Sequence, residues 1–294
     1  MADSTKEKKK TFRQKKPTTC PVCQGDFFKE ELFSGGGRLI AGDLTTELRR
    51  LYQENKKYGS IYPLTYAVIV CPHCFYASLP EDFSAPVKDV KSNLHENTAK
   101  RMKVVRDFFP MLDFNDDRAL EHGAASHILA VTSYSFFDKK FAPSLKKAIS
   151  SIRAAWCLDD LYIDSQDERY AKVRDIFYQK SAIFYLNAIE YAQNGKEIMD
   201  NIKSYGPDID KNYGYDGMLY MCSLMNYNIA QREPNLEIQA QSLVKSKRTV
   251  AKLFGMGKAS KDKPTAILDK ARDLYEILRD KVSQLEETLG VKLD

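Results

Sequence analysis

Cys20-Pro-Val-Cys23 and Cys71-Pro-His-Cys74 are two versions of one motif, separated by 47 residues. A Cys-x-x-Cys turn places two thiols close enough to share a metal ion, and two such turns supply four ligands of a tetrahedral site. A site closed by four protein ligands has no open position for water, so the pattern predicts a structural zinc ion rather than a catalytic one. The expected metal ligands are Cys20, Cys23, Cys71 and Cys74.

The second motif also allows a redox interpretation. It follows an apolar, strand-like run, residues 66–70, and a Cys-x-x-Cys near a strand is typical of thioredoxin-like proteins, where His73 would stabilise a thiolate. Residues 75–80 are a poor helix, however, and this interpretation leaves the first motif unexplained. A rubredoxin-like iron site and a metal-free pair of motifs stay open. A zinc deaminase is excluded, because the chain has no His-x-Glu and Val70 replaces the required proline.

Basic residues concentrate near the amino terminus. Residues 1–19 contain seven Lys or Arg against Asp3 and Glu7, which accounts for the whole net charge of +5. We predict a disordered basic tail over residues 1–19. Such a tail is either a solvated leader that aids solubility or a segment that contacts nucleic acid or an anionic surface.

The composition allows a core but predicts no membrane span. The 294 residues are 43% hydrophobic with a mean hydropathy of −0.46, and no apolar run approaches the roughly 18 residues that a span requires. The first ten residues lack the apolar segment of a secretory signal. Cys157 and Cys222 stand alone in helical patterns and are expected to be buried thiols, which favours the reducing cytoplasm.

The head of the chain resembles a bacterial family. Pro63-Leu-Thr-Tyr66, the segment 68–77 around the second motif, Glu81-Asp-Phe83 and the first motif are similar to domain of unknown function 2225. The resemblance implies a zinc-ribbon-like head with an insertion over residues 20–83, then helices like tetratricopeptide repeats, and it implies no reaction. The family usually has glycine after the last cysteine of a knuckle, where its left-handed backbone is favoured. Here Gln24 and Phe75 stand at these positions.

Beyond residue 83 the hydrophobic period becomes about 3.6 residues, which predicts a mainly α-helical body over residues 84–294. A helix is expected to be capped by Asn115–Asp117, and others to begin at Pro143, Glu168, residue 216, residue 236 and Pro264. Successive helix pairs resemble tetratricopeptide-like hairpins in a solenoid, with an irregular bundle as the alternative. The spacing of Leu44, Leu48 and Leu51 predicts one more helix, over 44–52, inside the insertion.

Three features of the body bear on partners. Tyr and Met residues between 213 and 227 form either core or a partner surface. Basic residues between Lys245 and Lys263 form either a solvated face or a phosphate contact. The last helix either caps the body or pairs with another chain, so the oligomeric state is open.

The function we expect is that of a non-enzymatic interaction protein. His95, His122 and His127 form no recognisable triad with a serine or cysteine, and solenoids usually bind a protein segment on their concave face. The alternative is nucleic-acid binding through the zinc ribbon and the basic tail. A thiol-redox protein that uses Cys71 and Cys74 is a further alternative.

Overall fold

Short antiparallel strand pairs form the amino-terminal part of the fold. The computed structural model describes residues 9–33, 35, 38–86, 88–199, 202–254 and 265–293. Within these residues the strands pair two by two: β1 (Thr11–Arg13) with β4 (Glu30–Leu32), β2 (Thr18–Thr19) with β3 (Asp26–Phe27), β5 (Ile40–Leu44) with β6 (Arg50–Gln53), and β7 (Ile69–Val70) with β8 (Ala77–Ser78).

Strand β1 lies where the sequence predicts a disordered tail. Residues 1–8 are outside the described residues, but β1 pairs with β4 in a defined register, Thr11 opposite Leu32 and Arg13 opposite Glu30. Phe12 packs on Phe33 with ring centroids 4.8 Å apart. Within this basic segment Thr11–Arg13 and Thr18–Thr19 thus form strands, and the tail over residues 1–19 as a whole stays a prediction.

The insertion between the two motifs contains a hairpin where a helix was predicted. Strands β5 and β6 replace the helix expected over 44–52, and the chain reverses between them. Thr45 makes two bonds across the turn, because its N–H donates to the Arg49 carbonyl and its Oγ1 accepts the Arg49 N–H, both at 3.0 Å. Leu48 has a φ of 58° and is fully buried. The leucine spacing imitates a helix, but these local bonds of Thr45 compete with helical ones, so the prediction is wrong.

Helices make up most of the remaining chain. The described residues contain α1 (Lys88–Glu96), α2 (Thr98–Phe108), α3 (Leu120–Tyr134), α4 (Pro143–Ser165), α5 (Glu168–Gln193), α6 (Gly214–Ala230), α7 (Leu236–Ala251) and α8 (Thr265–Leu289). The fold is therefore mainly α-helical with a small strand-built head, as the sequence predicts. None of the described helices combines the length and the apolar character needed to cross a membrane.

The start of α3 differs from its prediction. The residue before the helix is Ala119, whose N–H is accepted by Nδ1 of His122 at 3.1 Å. The predicted cap at Asn115–Asp117 is wrong, because those residues form a turn that ends before the helix begins. By contrast, α4 and α5 begin at the predicted Pro143 and Glu168.

Residue contacts divide the chain into two compact units. The first comprises Met1–Thr45, Arg49–Asp138 and Ser150–Phe177, and the second comprises Thr46–Leu48, Lys139–Ile149 and Tyr178–Asp294. These bounds do not coincide with the predicted division between residues 20–83 and 84–294. One reason is that α3 bonds to the head, since the Ala77 N–H donates to Ser133 Oγ at 3.3 Å and the Leu79 N–H to the Tyr134 hydroxyl at 3.0 Å.

Within the second unit, α6, α7 and α8 pack on one another. Most Tyr and Met side chains of α6 supply core, because Met218, Tyr220, Met221 and Met225 are at most 1% exposed, whereas Tyr215 is exposed. The apolar stripe of α8 is likewise buried within this chain: Ile267, Ala271, Leu274, Leu278, Val282 and Leu285. The tetratricopeptide-like character of the body stays a prediction.

Candidate metal centre

Each cysteine motif forms the turn of a β-hairpin. The first lies between β2 and β3, and the second lies between β7 and β8. In both, the N–H of the first cysteine donates to the carbonyl five residues later, and its carbonyl accepts the N–H four residues later. These bonds are Cys20 to Gly25 (3.0 Å), Gln24 to Cys20 (3.0 Å), Cys71 to Tyr76 (2.9 Å) and Phe75 to Cys71 (2.9 Å). The two knuckles are thus copies of one backbone structure.

The residues that follow the last cysteine of each knuckle have the left-handed backbone that glycine favours. Gln24 and Phe75 have φ angles of 63° and 55°. A left-handed conformation costs a residue other than glycine about 1–2 kcal/mol. Phe75 is buried and packs edge-on against Phe114 with centroids 5.2 Å apart, while Gln24 is exposed and its side chain donates to the nearby Pro21 carbonyl at 3.0 Å. The knuckle geometry therefore forms without glycine.

The hairpins bring the four predicted ligand residues together. The Sγ atoms of Cys20, Cys23, Cys71 and Cys74 all lie within 4.8 Å of one another. Two of the pairs that join different knuckles are Cys20 to Cys74 at 3.7 Å and Cys23 to Cys71 at 3.6 Å. A tetrahedron with metal–sulfur bonds of about 2.3 Å has sulfur–sulfur edges of about 3.8 Å, whereas a disulfide bond measures about 2.05 Å. The four sulfurs can therefore hold one metal ion.

Crowding separates the pKa values of three of these thiols. Hydrogen bonds from Cys71 and Cys74 lower the pKa of Cys20. The hydrogen bond shared with Cys20 raises the pKa of Cys71, and it raises the pKa of Cys74 to about 12. Cys20 therefore loses its proton more easily than Cys71 and Cys74 do, and four thiolates at this spacing require a cation among them.

A buried arginine lies against the second knuckle. Arg101 of α2 is fully buried, and its Nη2 donates to the Cys74 carbonyl at 3.1 Å and to Thr98 Oγ1 at 3.2 Å. Its Nη1 donates to the Leu94 carbonyl. Within the described residues, no carboxylate lies within ion-pair distance of this guanidinium. Burial lowers the pKa of Arg101, and the opposing interactions come from Cys74, Cys20 and Cys71.

The sequence contains one signal for this arginine that the prediction missed. Arg101 stands seven residues after Leu94 and four before Val105, and both neighbours are buried. A charged residue on the apolar stripe of a helix requires a polar partner. Its partner could not be read from the sequence, because Cys74 lies 27 residues earlier.

A second arginine fixes the segment that leads into the second knuckle. Arg118 Nη1 donates to the carbonyls of Thr65 at 2.6 Å and Val68 at 3.0 Å. Burial lowers the pKa of Arg118 to about 10. The residue therefore holds the backbone just before Ile69 and orients the hairpin that carries Cys71.

The histidines are not gathered into a site. His73 bonds through Nε2 to the Asp26 carbonyl at 3.0 Å, which links the two knuckles, and His95 is exposed on α1. His122 caps α3, and His127 bonds through Nε2 to the Leu64 carbonyl at 3.1 Å. Each bonded histidine thus has a backbone partner that explains its position.

The remaining two cysteines are buried, as the sequence predicts. Burial raises the pKa of both Cys157 and Cys222 to about 12. Because the thiolate is the reactive form, these two groups are chemically inert near neutral pH. Among the described residues, the potential metal ligands that cluster are the four cysteines of the two knuckles.

Comparison with known proteins places this architecture in a family. The sequence profile of the uncharacterised proteins conserved in bacteria called DUF2225 matches residues 14–278. An uncharacterised protein of Borreliella burgdorferi is 41% identical over 268 residues, which is 91% of this chain and 96% of that protein. No solved structure matches the chain. The profile spans both knuckles and most of the helices, and the chain therefore belongs to the DUF2225 family.

Proposed function

We propose that this chain is a non-enzymatic interaction protein of the bacterial cytoplasm, whose head is locked by a structural zinc ion. Cys20, Cys23, Cys71 and Cys74 would hold the ion, and the helical part would bind a protein partner. A bound zinc ion would supply a closed, redox-inactive cross-link between the two hairpins and no reactive group. The observation that carries the zinc assignment is the packing of four sulfurs at tetrahedral spacing.

The arrangement of sulfur pairs favours metal binding over redox chemistry. A redox Cys-x-x-Cys cycles through a disulfide between its own two cysteines. Here Cys74 lies 3.7 Å from Cys20 of the other motif, and Cys71 lies 3.6 Å from Cys23 of the other motif. All four sulfurs thus belong to one cluster, which suits a single ion bound by both motifs.

The charge of Arg101 also favours a metal-bound cluster. A fully buried cation is costly, by several kcal/mol, unless an anion compensates it. Four thiolates around Zn²⁺ have a net charge of −2, whereas disulfides are neutral and the metal-free thiols have at most the single negative charge of Cys20. No described carboxylate pairs with Arg101, so the metal–thiolate cluster would supply the compensating negative charge. The guanidinium reaches the cluster through its bond to the Cys74 carbonyl.

Metal content and thiol reactivity test the zinc proposal together. Protein purified without chelator should contain one zinc per chain, and the four cluster cysteines should react with a thiol reagent only after chelation. Cys71→Ser should lose the metal, whereas Cys157→Ala, which removes a buried thiol outside the cluster, should retain it. A metal-free protein with a reversible Cys71–Cys74 disulfide would overturn the proposal in favour of a redox function.

Nucleic-acid binding is the second candidate, and one surface favours it. Lys9, Lys10, Arg13 and Arg118 line a cavity of about 570 Å³ beside β1. Two carboxylates share this cavity, and one of them, Asp117, pairs with Arg13 at 3.3 Å. The positive potential of this surface is therefore partly neutralised.

The test of the second candidate should leave strand β1 intact. Lys9, Lys15 and Lys16 are exposed, so changing all three to Gln removes charge without disturbing the pairing of β1 with β4. If the basic segment 9–19 binds RNA or DNA, the affinity of the triple variant should fall and its dependence on salt should weaken. Equal affinity and equal salt dependence in the two proteins would reject this candidate.

A further inference from the structure

A groove in the second unit lies between one face of α5 and one face of α7. Its volume is about 670 Å³. Leu186, Ile189 and Glu190 line it from α5, and Val244 together with the basic residues of α7 lines it from the opposite side. On both helices the lining residues are three or four positions apart, so each helix presents a single continuous face to the groove.

The α7 side of the groove carries a row of unpaired positive charges. Lys245, Arg248 and Lys252 are exposed, and none of them has a carboxylate within ion-pair distance in the part of the chain that the structure describes. They follow each other at intervals of three and four residues, which spaces them over about 10 Å of the helix. Against these three cations the lining contains a single carboxylate, Glu190.

The floor of the groove is apolar and does not neutralise these charges. Ile189 and Val244 are 6% and 8% exposed, and Cys222 of α6 closes the base. Burial raises the pKa of Cys222 to about 12, so its thiol is neutral and provides no counter-ion for Lys245 or Lys252. The groove therefore combines an apolar strip with a parallel basic strip.

We propose that this groove binds an amphipathic helix of a partner protein, with acidic residues beside its apolar stripe. Helices dock in grooves through apolar side chains spaced three and four residues apart. Such a stripe would lie on the apolar floor of this groove. Acidic residues at the same spacing on the flank would meet Lys245, Arg248 and Lys252. A peptide that binds by strand addition would instead require an open strand edge, and α5 and α7 have their backbone groups bonded internally. The inference rests on the proposed function and specifies its protein-binding part.

A labelled synthetic peptide tests the groove directly. The probe is an 18-residue helical peptide with leucines and glutamates at these spacings, titrated by fluorescence anisotropy into the zinc-loaded full chain. The double variant Lys245→Glu/Arg248→Glu should weaken binding at least tenfold, and so should replacing the peptide glutamates by Gln. Lys247→Glu changes a neighbouring residue of α7 outside the groove lining, so this control should bind like the unmodified chain. A peptide with Lys in place of Glu should bind the double variant better than the unmodified chain.

Several outcomes would overturn the inference. Equal affinity in the unmodified chain and the double variant would do so, as would a self-association that the double variant abolishes, because the occupant would then be a second copy. Two photo-crosslinkers, one at Gln241 in the groove and one at Ser283 on α8, distinguish binding in the groove from protein binding elsewhere on the chain. A partner captured only from Ser283 would reject the groove while leaving a protein-binding function in place. Absence of zinc from the same preparations would reject the proposed head independently of the peptide result.

Discussion

Gln24 and Phe75 occupy equivalent positions in the two knuckles and share a left-handed backbone, with φ angles of 63° and 55°. Their side chains have opposite environments, because Gln24 is exposed and Phe75 is 3% exposed. Glycine would relieve the same backbone strain at both positions, but only at residue 75 would it also remove a packed ring. The two knuckles therefore differ in what a glycine substitution would do.

Gln24→Gly is expected to stabilise the zinc-loaded chain by about 0.5–1 kcal/mol, since the left-handed strain is relieved at the cost of some unfolded-state entropy. Chemical denaturation measures the change. Gln24→Ala is the matched control, because it removes the same side chain but keeps the strain and should not stabilise. Phe75→Gly should destabilise the protein by about 3 kcal/mol, because the buried ring is lost. Destabilisation by Gln24→Gly would contradict the inferred strain.

Arg101→Met is expected to weaken zinc binding roughly ten- to one-hundred-fold, which is the usual effect of mutating a residue that contacts a metal ligand. The reason is the loss of a buried positive charge beside an anionic cluster. In the metal-free protein the same variant should be more stable than the unmodified chain, because an unpaired buried charge is removed. Chelator competition and metal-free denaturation measure the two effects.

The control for Arg101 is Lys103→Met, which removes a charge from an exposed position of the same helix. Its zinc affinity should be unchanged. Equal zinc affinity in Arg101→Met and the unmodified chain would show that the cluster does not depend on this cation.

His127 should make stability fall as the solution becomes acidic. Burial lowers the pKa of His127 to about 3, whereas an unfolded histidine titrates near 6.5. Between these values the unfolded state binds the extra proton, so stability rises with pH, and it should drop by about 1.4 kcal/mol from pH 7.5 to 5.5.

His127→Gln should remove this part of the pH dependence, because glutamine does not titrate and can still donate to the Leu64 carbonyl. Denaturation at both pH values, with zinc content verified at each, measures the difference. The same pH dependence in both proteins would assign the effect to other groups.

Gly123→Ala is expected to destabilise the protein by about 1–3 kcal/mol, although alanine is the better helix former by about 1 kcal/mol. The added Cβ on α3 would lie 2.9 Å from Thr65 Cγ2 and 3.3 Å from Cys157 Sγ. The double variant Gly123→Ala/Thr65→Ser removes one clashing methyl group and should recover part of the loss. Thermal unfolding of both variants measures the effect. A stabilised Gly123→Ala variant would show that Thr65 can move away from the added Cβ without loss of stability.

The cysteine pattern predicts which four side chains cluster, because the chemistry of a four-thiolate site restricts both residue type and spacing. The helix starts at Pro143 and Glu168 were also predictable from hydrophobic period. The hairpin around Leu48 was not, because its leucine spacing is equally that of a helix and only the bonds of Thr45 decide between them. Arg101 escaped prediction since its role depends on a carbonyl that is brought near by the fold.

The pairing of the two knuckles has a consequence in polymer terms. A metal ion held by both would tie together chain segments separated by 47 residues, as a disulfide does, but under reducing conditions. Closing a loop of about 50 residues removes unfolded-chain entropy worth about 4 kcal/mol, and doubling that length would add only about 0.6 kcal/mol. The strength of such a cross-link is thus nearly independent of what lies between the knuckles. Lengthening or shortening the β5–β6 insertion would therefore change the strength of this cross-link by less than about 1 kcal/mol.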